Sequence, residues 1–365
     1  MKTFIASPVP LSINHDSDKN KFIAVGGNPG NMVFMNALEE QIIFDDIIDV
    51  HSKIDNPSEI MLVMPSSNYI RHINKNDLFF KEWVSFLEKY ECKMTLVGLG
   101  AQSSKYFNTP EKLVKVLTKE QVRFLKIISE RCTSIGVRGK FTAKCLELLR
   151  IKNYHIIGCP SIFKYTDGNF PKLEFKSYGN SQMTFTPKMK SRTSVLNFGY
   201  RNNSIWVKQS TNETPKYIKI FDRDFLSLIW LKKNCPGLKI GLRDLEEYSA
   251  KSMIFFDINQ WNKFYNDQCI TFSYGTRFHG NVESLRNGVP ALWITHDSRT
   301  KELTEFLHLP HISIEEFKNY DSIEDLKCIC DYSDFYLNYK SLCKNYISYL
   351  DENHIPHKFI LSEES

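Results

Sequence analysis

Along the first half of the chain one unit recurs: a short run that is apolar at nearly every position and closes on Gly or Pro, then a stretch whose apolar residues return every three or four places. The runs are FIAVGG (22–27), IMLVMP (60–65), MTLVGLG (94–100), SIGVRG (134–139) and HIIGCP (155–160). A strand without a polar face is covered on both sides, the condition of a parallel sheet between helices. The helices predicted between the runs carry apolar stripes of Met32, Met35, Leu38 and Ile42, of Phe79, Trp83, Phe86 and Leu87, and of Val122, Leu125, Ile127 and Ile128. Strands and helices in alternation predict a doubly wound α/β domain.

The pattern fails from about 166 to 193, where TDGNFPKLEFKSYGNSQMTFTPKMKSRT is rich in turn formers and lysine and holds no period. It resumes with SVLNFGY (194–200), LKIGLRD (238–244), SMIFFD (252–257), CITFSYGT (269–276) and ALWITH (291–296), read as strands of a second such domain. Beyond Ile323, Leu326, Ile329, Phe335, Leu342 and Tyr346 return at helical spacing. The expected organisation is an N-terminal Rossmann-like domain over 1–175, an irregular linker over 176–193, a C-terminal Rossmann-like domain over 194–322, and a helical tail over 323–365 placed to pack across the hinge. A chain of 365 residues is long for one core, and two such domains would face each other over a cleft.

Composition narrows the function. With 42% hydrophobic and 24% charged residues the chain folds rather than staying disordered. The formal charge is +5, and no stripe of Lys and Arg tracks a phosphate backbone, so nucleic acid is not the expected partner. That balance fits an anionic small substrate or an anionic membrane surface and selects neither. Nine cysteines without a disulfide framework, and an N-terminus unlike a secretion signal, point to free thiols in a reducing cytoplasm. Cys328 and Cys330 lack the second pair of a tetrahedral metal site, so no metal is expected. No apolar run reaches the roughly 18–20 residues that span a bilayer, which leaves peripheral membrane contact only.

In open α/β sheets ligands lie beyond the carboxyl ends of the strands, so the residues just after each run carry most weight. GGNPGN, with Asn28, Gly30 and Asn31, opens a helix whose free N–H groups favour an anion; it reads equally as a tight turn in which Asn28 or Asn31 caps the helix. GLGAQSS offers Gln102 beside flexible glycines. Arg138 ends a strand, where its planar fork suits a carboxylate or phosphate, or a structural ion pair. In SYGTRFHGNVESLRNGVPALWITHDSR, Gly275 closes a strand and Gly288 closes a short helix. Arg277 and His279, two apart in an extended turn, would project the same way, one to hold an anion and the other to move a proton.

These segments, with VGLGAQ and SIGVRGKFTAKCLELLRIKNYHIIGCPSIF, resemble the polysaccharide pyruvyl transferases over most of the chain. The most specific match is the Gly-x-Arg-x-His turn of Gly275, Arg277 and His279, followed by Gly288-x-Pro290 and a cation at Arg299 where many relatives carry Lys. The resemblance implies a GT-B-like fold and transfer of the enolpyruvyl unit of phosphoenolpyruvate to sugar hydroxyls as a ketal. The acceptor would be a polysaccharide or its lipid-linked precursor, as in capsule or exopolysaccharide synthesis. Arg138, Arg277, Arg299, Gly275 and Gln102 would serve the donor and His279 the proton, with no cofactor, in the cytoplasm or at the inner face of its membrane. Asn31 stands where relatives often have an acidic residue, which leaves this loop's part in acceptor recognition open. Two alternatives remain: a nucleotide-sugar glycosyltransferase, with Glu283 placed to meet a ribose, and a non-catalytic glycan-binding relative.

Overall fold

The computed structural model describes residues 1–7, 26–73, 77–103, 107–185, 193–209, 232–233 and 237–361. The first sheet contains β1 (Lys2–Ala6), β2 (Asp46–Ile48), β3 (Ile60–Pro65) and β5 (Lys93–Val97) in the order β2-β1-β3-β5, every pair parallel. The parallel pair β7 (Ile135–Val137) and β8 (Tyr154–Ile156) continues it through a bridge from Leu99 to Val137, and β4 (Ile70–Arg71) pairs separately with β6 (Ala101–Gln102). Helices α1 (Gly30–Gln41), α2 (Leu78–Lys89), α3 (Pro110–Val114), α4 (Lys119–Arg131) and α5 (Lys140–Leu148) accompany these strands. All six residues of β3 are buried, as a strand covered on both faces requires.

The second sheet is also parallel: β9 (Asn180–Phe185), β10 (Ile205–Lys208), β11 (Ile270–Gly275), β12 (Ala291–Thr295) and β13 (His311–Ser313) in the order β10-β9-β11-β12-β13. Its helices are α6 (Thr193–Arg201), α7 (Leu242–Ala250), α8 (Ile258–Asp267), α9 (Phe278–Arg286) and α10 (Ser298–Phe306). In both sheets the chain steps one way from its first strand, then returns to that strand's other side. The order therefore reverses between β1 and β3 and again between β9 and β11, where a doubly wound sheet opens its ligand crevice. The architecture is two Rossmann-like α/β domains.

Several expected elements are corrected. Residues 22–25 of FIAVGG lie outside the described residues, and the strand between β2 and β3 is Lys2–Ala6. The expected linker 176–193 holds β9, an interior strand of the second sheet. Its sequence NSQMTF looks loop-like because its buried polar residues bond to neighbours: Ser181 to Ser204 at 2.9 Å, Gln182 to Ser273 at 2.8 Å and Thr184 to Asn281 at 2.9 Å. SVLNFGY belongs to α6, with Val195, Leu196, Phe198 and Gly199 buried at helical spacing. In LKIGLRD, Leu238 and Ile240 are buried, but the only regular element is the start of α7. SMIFFD contributes a single bridge, Met253 to Val207. Along α1 the buried stripe is Val33, Phe34, Ala37 and Leu38, displaced by one residue from the expected Met32 and Met35.

The tail forms α11 (Ile323–Cys328) and α12 (Ser333–Glu352), which run from the second sheet to the first. Tyr332 Oη accepts from Ala291 N at 2.9 Å, Tyr346 Oη donates to Gln41 Oε1 at 3.1 Å, and Tyr349 Oη donates to Leu96 O at 2.9 Å. One apolar cluster accordingly includes Ile5, Met61 and Val97 of the first domain, Tyr274 and Trp293 of the second, and Tyr346 of the tail.

Gly136 explains the glycine in SIGVRG: a Cβ there would lie 2.5 Å from Ile157 Cδ1 and 2.8 Å from Tyr349 Cζ. Gly136→Val should unseat Tyr349 and cost about 1–3 kcal/mol, as overpacking does. Urea denaturation measures this; an unchanged midpoint would mean that α12 does not bear on the first sheet.

Candidate active site

Arg138 follows β7 and extends its ladder, its N–H donating to Leu99 O at 2.9 Å. The side chain crosses Gly100, where a Cβ would lie 2.8 Å from Arg138 Cδ, and donates from Nε to Gly98 O at 2.7 Å and from Nη2 to Ser66 O at 3.2 Å. Glycine at 100 thus lets backbone approach a buried guanidinium, while Gly98 takes φ +77°. Its head lies over the carboxyl ends of β5 and β3, on the crevice side of the first sheet.

From the second sheet, β11 ends in Gly275, whose φ is +147° and whose Cβ, were there one, would lie 2.1 Å from Thr184 O. Only glycine fits there, so close approach to β9 accounts for the residue. The turn is not extended throughout as expected: Arg277 is the N-cap of α9, and His279 is already in its first turn. At the far end Gly288 takes φ +75°, with Gly288 N–H bonded to Leu285 O at 3.0 Å and Val289 N–H to Ser284 O at 2.9 Å, the expected left-handed stop.

The two domain edges meet rather than gape. His279 is 8% exposed, its ring 5.2 Å from Phe34 of α1 and 5.4 Å from Phe278, and its Nε2 is 3.4 Å from Cys159 Sγ. Burial, then the charges of Arg138, Arg299 and Arg277, hold its pKa well below the usual imidazole value. The structure therefore gathers around one neutral imidazole all three arginines singled out from the sequence. GGNPGN arrives here too: Gly30 N–H donates to Asn28 Oδ1 at 3.1 Å, Asn28 Nδ2 reaches Asn31 Oδ1 at 3.4 Å, and a Cβ on Gly30 would lie 3.2 Å from His279 Cβ. Gln102 engages Asn68 of the loop after β3.

Other groups at the junction escaped the sequence reading. Asp297 caps α10, accepting from Thr300 N at 2.8 Å, and lies 3.8 Å from Arg299 Nη2 and 3.2 Å from His296 Nε2. Burial works against its charge, but Arg299, His296 and the Thr300 N–H hold its carboxyl well below the carboxylate range. Gln209, after β10, is wedged between Gly30 and Gly280, and its Nε2 has no partner among the described residues. Cys159 follows β8 at the kind of position that was weighted, but a lone thiol in IIGCP gave no sign of its partner. Glu283, the candidate ribose ligand, is 3.6 Å from Arg286 Nε and accepts from Asn287 Nδ2 at 3.2 Å, which removes its support for a nucleotide-sugar site.

Glu302 of α10 joins the domains, accepting from Thr142 N at 3.1 Å and Thr142 Oγ1 at 2.7 Å at the start of α5. Ser103 and Ser298 form a reciprocal pair beside it, each N–H reaching the other's Oγ at 3.3–3.4 Å.

Three arginines and a buried imidazole thus stand at the facing strand ends of a two-domain α/β protein. The family model for polysaccharide pyruvyl transferases matches residues 113–298, just over half of the 365, and the chain belongs to that family. It is accordingly a transferase of a family whose acceptors are sugars. No curated protein sequence matches the chain. Among solved structures, UDP-GlcNAc 2-epimerase of Methanocaldococcus jannaschii, in complex with UDP-GlcNAc and UDP, is 12% identical, with 96% of this chain and 99% of that one covered and a TM-score of 0.45. A glycosyltransferase of Rickettsia africae is 9% identical, with 96% and 98% covered and a TM-score of 0.38. Among the described residues no helix is long and apolar enough to cross a membrane.

Burial pushes Glu302 up to about 7 from an ordinary 4.5. The folded state then binds the extra proton, so stability from this group is complete below the unfolded value and is lost as pH rises through the folded one. Glu302→Gln should therefore gain stability over wild type at pH 8, on the order of 1–3 kcal/mol, and little at pH 4.5. Urea denaturation at the two pH values checks the difference; equal effects at both would disprove the buried-carboxyl assignment.

Proposed function

We propose that this chain transfers the pyruvyl unit of phosphoenolpyruvate to hydroxyls of a sugar, in a polysaccharide or its lipid-linked precursor, forming a pyruvate ketal and releasing phosphate. The observation that carries the reading is the placement of Arg138 after β7, Arg277 at the N-cap of α9 and Arg299 at the start of α10, on the facing strand ends where His279 is buried. A donor with a carboxylate and a phosphate needs cations fixed in direction, and a guanidinium presents paired N–H groups matched to either anion. Held in a dry junction, they orient the donor and stabilise charge as the bond to phosphate breaks.

The imidazole starts neutral and so acts first as a base. In the proposed reaction it takes the proton of one acceptor hydroxyl as that oxygen bonds to the central carbon of the donor. The imidazolium passes this proton to the methylene carbon, which becomes a methyl group, and His279 returns to its neutral form. The carbon–oxygen bond to phosphate breaks, and a second hydroxyl takes that place, its proton leaving with the phosphate. A lipid-linked acceptor would bring the chain to the inner face of the membrane.

The test is incubation with phosphoenolpyruvate and a panel of galactosides, mannosides and glucosamine derivatives, following phosphate release and a new ketal methyl signal. Arg277→Lys should lose roughly 100-fold in turnover, because an ammonium keeps the charge without the fork. Wild-type turnover by that variant would contradict the role of Arg277. The bound anion offsets the guanidinium field and favours the imidazolium, so donor binding near pH 7 should take up a fraction of a proton. Titration calorimetry in two buffers of different ionisation enthalpy reads this uptake, and a buffer-independent enthalpy would count against His279 at the donor.

A further inference from the structure

Cys159 is fully buried in the loop after β8, and the transfer chemistry above makes no use of it. Its Sγ lies 3.4 Å from Nε2 of His279 and 3.0 Å from Ser161 Oγ. The thiol belongs to the first domain and the imidazole to the second, so the contact exists only while the two edges meet.

The ring's surroundings restrict what Nε2 can do. Phe34 and Phe278 pack against the imidazole and offer it no lone pair. Arg138, Arg277 and Arg299 carry donors only, so none can accept the N–H that a neutral imidazole keeps. The sulfur is within reach to accept from Nε2, with its own S–H turned to Ser161 Oγ. Ser161 is itself fixed: its carbonyl accepts from Arg286 Nη1 of α9 at 3.1 Å.

We propose that Cys159 is a positioning residue: its sulfur accepts the Nε2–H of His279, which leaves the lone pair on Nδ1 as the base toward the acceptor hydroxyl. The role in turnover rests on the pyruvyl-transfer reading; the tautomer does not. Loss of a neutral hydrogen bond of this kind corresponds to about 5- to 10-fold in rate. A sulfur acceptor also favours the charged ring slightly, so its loss lowers the basicity of His279.

The test compares wild type, Cys159→Ala and Cys159→Ser. Cys159→Ala should lower kcat by about 5- to 10-fold, leave KM for phosphoenolpyruvate within about twofold, and move the acidic limb of the kcat profile to lower pH. Cys159→Ser keeps an acceptor at this place and should restore kcat to within about threefold of wild type. Nitrogen-15 NMR of histidine-labelled protein, with His279 assigned by its loss in His279→Gln, should show the proton on Nε2 in wild type and a mixed tautomer in Cys159→Ala. A wild-type proton on Nδ1, or an alanine variant with unchanged tautomer and pH profile, would overturn the proposal. The NMR result stands without turnover: tautomer control by Cys159 in a protein that releases no phosphate from phosphoenolpyruvate supports the positioning role and rejects the pyruvyl-transfer reading.

Discussion

Three guanidinium groups acting on one buried imidazole repel each other, and much of the junction can be understood as what makes that crowding tolerable. Arg138 gives two N–H groups to backbone carbonyls, Ser66 O and Gly98 O. Arg299 lies 3.8 Å from the Asp297 carboxylate, whose cap of α10 fixes it in turn. Burial first, and then the residual field, keep His279 neutral. On the proposed reading, a bound anion would relieve the repulsion among these cations.

This constraint also gives the domain contacts their place. The cations come from separate parts of the chain, Arg138 after β7, Arg277 after β11 and Arg299 in the first turn of α10, so they share one space only if the carboxyl ends of the two sheets face each other. Glu302 capping α5 from α10 and the Ser103–Ser298 pair hold the two edges together beside the site. Farther away, Tyr332 just before α12 bonds Ala291 while Tyr346 and Tyr349 of α12 reach Gln41 and Leu96, so that one apolar cluster underlies both domains.

The sites legible in the sequence were those where a charged or imidazole side chain interrupts an apolar run at a strand end. Arg138, Arg277 and His279 stand out because burying such groups is costly unless something uses them. Gly288 was legible for a local reason, since a helix stop needs φ above zero. The misreadings have physical causes as well. NSQMTF looked like a linker because its buried polar side chains are satisfied by Ser204, Ser273 and Asn281, all distant in sequence. SVLNFGY looked like a strand because a short apolar run has too few residues to separate a period of two from one of 3.6.

By itself the sequence determined the alternating α/β plan and which charged residues stand just after the strands, because each follows from local burial or from the cost of a charge beside apolar neighbours. Tertiary structure alone decided which of these groups meet. That Cys159 touches His279 across 120 positions, that Glu302 caps a helix of the other domain and that Gln209 fits between Gly30 and Gly280 depend on how two separately wound sheets are set edge to edge. No periodicity records that setting. It is fixed by the shared core under α1 and α12, and the character of the site, three cations around a neutral imidazole, exists only once it has formed.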